Sequence, residues 1–169
     1  MNEEFLDIVN QNDQVIDTLS RNEVYAKNLI NFRAIDAFLI NDQGQLWIPR
    51  RTKTKRVCPL TLDASMSGHV SAGESYDQAF VRELQEELNL DADSLKYTMI
   101  GSMTPHQHNT IGFLQVYTIH TNQEPDYNPD DFCEAFWLSP QELIEKLAAG
   151  DQGKDNLIII MRHFFINPT

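Results

Sequence analysis

The string Arg82-Glu83-Leu84-Gln85-Glu86-Glu87 sets three carboxylates and one guanidinium within a turn and a half of helix. At roughly 100° per residue, Glu83, Glu86 and Glu87 fall within about 100° of arc on one helix face. Glu83 and Glu87 stand four residues apart, where like charges repel by a few tenths of a kcal/mol. Clustered carboxylate oxygens of this kind are what a hard divalent cation such as Mg²⁺ requires. Phe80, Leu84 and Leu88 occupy the adjoining arc at four-residue intervals, so one side of the helix can be buried while the other presents acid. A solvated acidic face would show the same three glutamates, and the residues upstream decide between the two readings.

Those residues supply punctuation and further charge. Ser75 with Gln78 three positions on reads as a capping box that opens the helix, and Asn89 as a left-handed residue that ends it. Gly68, then Glu74 after five residues, then the Arg-Glu-Leu-x-Glu-Glu string after seven, complete a pattern spanning residues 68–90. It resembles the Nudix box of the Nudix hydrolases at every charged position. Asn89 stands where a glycine usually follows the helix, a small departure because Asn tolerates the same backbone conformation.

A second concentration of charge lies upstream. Residues 50–56 hold Arg50, Arg51, Lys53, Lys55 and Arg56, five of the thirteen basic residues of the chain. They read either as a solvated run or as counter-charge for a diphosphate, to which arginine can bond bidentately.

The elements that must position these groups follow from pattern and turn chemistry. Short strands are expected at 5–9 and 15–18, then a short helix opened by the Ser20/Glu23 capping box and running to about 28. Strands at 34–40 and 45–49 flank the turn Asn41-Asp42-Gln43-Gly44. Further strands are expected at 62–65, 95–103, 111–119 and 133–138, with residues 104–110 as a histidine-bearing loop. Ser139-Pro140-Gln141-Glu142 opens a helix that Gly150 closes, and 157–165 is apolar nearly all round, as for a mostly buried terminal helix. No repeat, low-complexity tract or linker interrupts residues 1–169, so a single α+β domain is expected.

Composition bounds the function. A net charge of −12 argues against general binding to nucleic acid or anionic membranes. No apolar run approaches the ~18 residues of a membrane span, and Met1-Asn2-Glu3-Glu4 lacks the features of a secretory signal. Two cysteines, Cys58 and Cys133, are too few for a disulfide framework and point to a reducing cytoplasm.

The resemblance adds what periodicity cannot. It implies the Nudix fold, a mixed β-sheet sandwiched between helices (α/β/α), with the box as a loop-helix-loop on the sheet. It implies Mg²⁺ or Mn²⁺ held by Glu83, Glu86, Glu87 and the Gly68 carbonyl, with one glutamate as base. Arg82 would orient Glu74 or Glu83 from outside the metal shell, and Arg51, Lys55 and His69 would meet the substrate. His69 is equally compatible with a loop-forming role. His106 and His108 are candidate substrate contacts or plain loop residues, and Asp131 and Glu134 candidate bases outside the box or exposed strand-edge acids.

Between about residues 5 and 143 the chain most resembles the branch that includes isopentenyl-diphosphate isomerase. Arg50-Arg51, Lys55, Ser67-Gly68-His69 and Phe136-Trp137-Leu138-Ser139-Pro140 carry that likeness. The isomerase has a cysteine where Ser67 stands, and its outer metal ligands are missing from Asn31-Phe32-Arg33 and Asn109-Thr110-Ile111. The expected activity is therefore Mg²⁺-dependent hydrolysis of a diphosphate linkage in a small nucleoside-diphosphate-X type molecule. An isoprenoid-diphosphate isomerase and a non-catalytic diphosphate-binding module are the alternatives. The leaving group X and the oligomeric state are not legible in the sequence.

Overall fold

The computed structural model describes residues 3–166. Its first unit is a hairpin of β1 (Phe5–Val9) and β2 (Val15–Ser20), followed by α1 (Arg21–Ala26). Both halves of the Ser20/Glu23 capping box form at the start of α1. The remaining strands make one mixed sheet: β3 (Arg33–Ile40), β4 (Leu46–Arg51), β5 (Met66–His69), β6 (Lys96–Met103), β7 (Phe113–His120) and β8 (Phe132–Leu138).

In that sheet β3 is central. β7 runs parallel along one edge of it, with β6 antiparallel beyond. Its other edge is shared, because β5 pairs with Ala34 to Ala37 while β4 meets it only at Ile40 and Leu46. β8 completes the sheet antiparallel to β4. Where β3 and β4 part, the buried Ser65 hydroxyl accepts from the Leu39 N–H at 2.8 Å and donates to the Trp47 carbonyl at 2.5 Å. Ser65 thereby satisfies ladder groups that the split would orphan. This also explains why the strand expected at 62–65 forms later, as β5.

Alternation along β3 sends Ile35, Ala37 and Leu39 to one face and Phe38 to the other, a strand buried on both sides. Helix α2 (Tyr76–Leu88) covers the first face through Ala79, Phe80, Leu84 and Leu88. Helix α4 (Pro140–Ala148), α5 (Leu157–Ile160) and the π-helical turn Met161–Ile166 cover the second through Leu143, Leu157, Ile160 and Met161. The result is the α+β, helix–sheet–helix arrangement that the resemblance implies.

Two local expectations change. The 104–110 segment contains a short helix, α3 (Pro105–His108), capped by the Thr104 side chain and ended by Asn109 at φ 58°. The apolar run 157–165 is mostly buried, as expected, with Arg162 exposed, but it forms a short α-helix that passes into a π-helical turn.

Candidate active site

The geometry of the site starts from α2. Ser75 and Gln78 exchange the two hydrogen bonds of a capping box at its start, and Asn89 ends it in the left-handed region at φ 52°. With Phe80, Leu84 and Leu88 locked into the core, Glu83, Glu86 and Glu87 project beside β5 into a cavity of about 660 Å³. That volume lies within the range of small-molecule sites.

Gly68 is where β5 meets the helix. A Cβ at this position would stand 2.1 Å from the Glu83 carboxyl carbon, so glycine is what lets the strand and the Glu83 carboxylate, as placed, lie this close. The adjacent Ser67 N–H donates to Glu87 Oε2 at 3.1 Å. Glu87 is only 7% exposed, whereas the Glu86 side chain is 59% exposed.

Arg82 ties the loop to the helix. Its Nε and Nη2 donate to the two oxygens of Glu74, each at 2.9 Å, and its Nη1 to Glu83 Oε1 at 2.6 Å. Nη1 also reaches Glu86 at 3.4 Å, and Nη2 donates to the His69 carbonyl at 2.9 Å. Sequence left open whether Arg82 orients Glu74 or Glu83, and it contacts both.

Burial dominates the electrostatics. It pushes Glu83 up to about 7 against the pull of Arg82. It pushes Glu87 up to about 8, helped by the charges of Glu83 and Asp63. Both carboxylates are held above their usual range chiefly because burial disfavours the charged form. Among the described residues no three acidic, histidine or cysteine side chains form a ready-made metal cage. Glu83 is turned to Arg82 and Glu87 to the Ser67 N–H, as repelling carboxylates would arrange themselves.

The basic run divides. Arg51 and Lys55 line the cavity, whereas Arg50, Lys53 and Arg56 do not. Arg50 instead pairs with Glu134 and bidentately with Asp151, at 2.8 and 2.9 Å. Within the cavity Arg51 donates to Asp63 Oδ2 at 2.7 Å and to the Val57 carbonyl at 3.2 Å, and Lys55 pairs with Asp131. Of the two readings of the run, a solvated stretch does not describe its two cavity members, which are partnered by acids distant in sequence.

His69 also lines the cavity, but its ring nitrogens are engaged: Nε2 by the Tyr25 hydroxyl at 3.1 Å, Nδ1 near Glu4 at 3.5 Å. Burial pulls its pKa down, against the opposing pull of Glu4. Asp131 lines the cavity, while Glu134 sits outside it on β8. His106 and His108 are outside as well, His106 edge-on to Phe113 and His108 Nδ1 accepting from the Thr104 N–H.

Sequence reasoning missed Asp36, Asp63 and Lys154. Asp36 had a signal, as the one charge inside the apolar string Ala34-Ile35-Asp36-Ala37-Phe38-Leu39. Burial pushes it up to about 6. Lys154 lies far down the chain in no motif; its Nζ donates to Ser67 Oγ at 2.7 Å and sits 3.2 Å from Asp63. Burial alone would lower its pKa, but Asp63 and Asp36 raise it above the usual lysine value. The ammonium is therefore a cation, not a base that could activate Ser67.

Comparison with known proteins agrees with this geometry. The NUDIX domain profile matches residues 31–159. An uncharacterized Nudix hydrolase of Nostoc sp. is 48% identical over 164 residues, spanning 97% of each chain. A Nudix hydrolase of Deinococcus radiodurans is 38% identical over 165 residues, 98% of this chain and 96% of the relative. The crystal structure of DR0079 from Deinococcus radiodurans superposes with a TM-score of 0.89 at 39% identity, covering 94% of this chain and 98% of that one. A NUDIX hydrolase from Alicyclobacillus acidocaldarius, 13% identical with a TM-score of 0.60, shares the fold over 81% of this chain and 92% of its own. A box with its glycine pressed on Glu83, and a profile and relatives spanning most of the chain, place it in the NUDIX domain family, among the Nudix hydrolases.

Proposed function

We propose that residues 1–169 act as one Nudix domain that hydrolyses the diphosphate linkage of a small nucleoside-diphosphate-X type substrate with Mg²⁺, or Mn²⁺ in its place. The observation that carries this reading is the placement of Glu83, Glu86 and Glu87 on one face of α2 at the cavity, beside the glycine that admits Glu83.

Charge supports the cation. Eight carboxylates line the cavity (Glu4, Asp36, Asp63, Glu83, Glu86, Glu87, Asp131, Asp155) against five cations (Arg21, Arg51, Lys55, Arg82, Lys154). With all ionised the wall is three charges negative, and a diphosphate would add at least two more. A hard divalent ion suits oxygen donors of this kind, and Glu83, Glu86, Glu87 and the Gly68 carbonyl would hold it. Such an ion, when bound, neutralises charge on phosphoryl oxygens and activates water.

The chain's own groups do the rest. Arg82 holds Glu74 and Glu83, and the Ser67 N–H holds Glu87. Arg51, Lys55 and His69 contact the substrate from the cavity wall. Water attacks one phosphorus, a glutamate of the box takes the proton, and the bridging P–O bond breaks to leave two phosphate products. The acidic exterior and the cavity's size favour a small molecule over a nucleic acid polymer. Among the described residues no helix is long and apolar enough to cross a membrane. The two free cysteines fit a reducing cytoplasm.

The test is phosphate release, after phosphatase coupling where needed, over a panel of nucleoside diphosphates and diphosphate diesters with Mg²⁺ and Mn²⁺. Turnover of at least one member that stops with EDTA is expected. No turnover across the panel with either metal would remove the hydrolase reading.

A further inference from the structure

The segment after α4 returns to the cavity as a strap, residues 151–156. Asp151 is clamped bidentately by Arg50. The Leu62 N–H donates to the Gln152 carbonyl and the Lys154 N–H to the Leu62 carbonyl, both at 2.8 Å. Asn156 exchanges two hydrogen bonds with the Ile111 backbone, both at 2.9 Å. A segment with no regular structure of its own is thus fixed at both ends and in the middle, and Lys154 is the side chain it delivers to the cavity.

Lys154 differs from the other cavity cations in its partners. Arg21 pairs with Glu4, Lys55 with Asp131, Arg82 with Glu74 and Glu83, and Arg51 holds Asp63 at 2.7 Å. Lys154 makes its shortest contact with a neutral hydroxyl, Ser67 Oγ, and meets Asp63 only at 3.2 Å, behind Arg51. An ammonium has three N–H groups, so two partners leave one. The side chain is partly exposed and lines the cavity that would receive the substrate. Ser67 also fixes its place in the site, because the same residue's N–H holds Glu87.

We propose that Lys154 is a substrate-contacting residue of this hydrolase, delivered by the 151–156 strap to donate to a non-bridging oxygen of the bound diphosphate. This rests on the diphosphatase reading above. The cation stays protonated and moves no proton; it supplies a fixed positive charge beside the carboxylate wall.

The bland alternative is that Lys154 only neutralises Asp36 and Asp63. Two variants separate the roles: Lys154→Met, and Lys154→Met combined with Asp36→Asn, which removes a carboxylate the first variant leaves uncompensated. Methylenediphosphonate, which cannot be hydrolysed at its P–C–P linkage, is titrated calorimetrically with Mg²⁺ present, alongside KM and kcat and thermal melting. Lys154→Met is expected to weaken the probe by about 10- to 100-fold, the range of one charge-assisted hydrogen bond, and to raise KM correspondingly. The double variant should recover melting temperature but not affinity. Affinity regained in the double variant, or unchanged in the single one, would overturn the proposal while leaving the hydrolase reading intact. Wild-type protein that binds the probe through Lys154 yet turns over nothing on the panel would overturn the hydrolase reading instead. Wild-type protein that does not bind the probe would overturn the lysine contact.

Discussion

Gly68 and Glu83 occupy what would be one volume: a methyl group on the first would lie 2.1 Å from the carboxyl carbon of the second. The strand and the carboxylate helix can approach this closely only because position 68 has no side chain. The colliding atoms belong to the far end of a flexible glutamate, so a side chain at 68 has a cheap way out, by swinging Glu83 aside.

Gly68→Ala should therefore spare the fold and remove the activity. Melting is expected to fall by no more than about 1 kcal/mol of stability, the centre of the range for single substitutions. A displaced Glu83 should lower kcat/KM by at least about 100-fold, roughly 2.7 kcal/mol of transition-state stabilisation. Full activity in Gly68→Ala would show that the position of Glu83 does not matter.

Glu87 yields a prediction whose sign differs between stability and activity. Burial raises its pKa from 4.5 to about 8, so the folded state binds the proton more tightly than the unfolded state. Stability from this group is present below pH 4.5 and is lost as pH rises through about 8. In chelator at pH 9, Glu87→Gln should melt higher than wild type, by a few degrees for each kcal/mol gained. The same variant, like Glu86→Gln, should lose at least about 100-fold in rate with Mg²⁺. It should also lose most of the thermal stabilisation that Mg²⁺ gives wild type. A Glu87→Gln protein that melts lower than wild type at pH 9 would refute the strained-carboxylate account.

Arg51 and Lys55 should part company. Arg51 is 7% exposed and bonded to the buried Asp63, so Arg51→Ala leaves a buried carboxylate short of a partner. Breaking such a pair costs about 3–5 kcal/mol, here reduced because Lys154 stands 3.2 Å from the same carboxylate. Lys55→Ala removes a cation more exposed than Arg51 from a pair whose carboxylate is also more exposed than Asp63, and should lower melting less. Both should raise KM, read from initial rates. Equal melting temperatures for the two variants would contradict the burial argument.

Those two residues also mark where sequence reading stops. The carboxylate helix was legible to its caps, because Ser75, Gln78 and Asn89 act on neighbours within a few positions. The role of Arg82 came from the resemblance, which left Glu74 and Glu83 as alternatives, and the side chain bonds both. Arg51 was placed in the site but without its partner, since Asp63 comes from a stretch whose local pattern reads as a strand. Ser65 explains the shift: its hydroxyl serves β3 and β4 together, a contact between residues 39, 47 and 65 that no local window contains. Lys154 was invisible, because it reaches the site only through long-range bonds from Leu62, Arg50 and Ile111.

The last prediction separates hydrolysis from isomerisation and rests on Ser67. Protonating an alkene carbon needs an acid at this position, and a serine hydroxyl is far weaker than a thiol of pKa about 8.5. Here the hydroxyl also accepts from the Lys154 ammonium at 2.7 Å. Restoring a cysteine would not restore the acid, since a neighbouring ammonium favours thiolate, which has no proton to give. The residues at the positions where the resemblance to the isomerase branch would look for outer metal ligands have other partners. Asn31 donates to the Val9 carbonyl, Arg33 pairs with Asp13, and Asn109 caps α3. Wild type and Ser67→Cys incubated with isopentenyl diphosphate and Mg²⁺ should both leave the allylic isomer undetectable by NMR. Allylic product from wild type would overturn the hydrolase assignment. Product from Ser67→Cys alone would show that one thiol suffices, so that the ammonium beside it does not silence it and the outer ligands are dispensable.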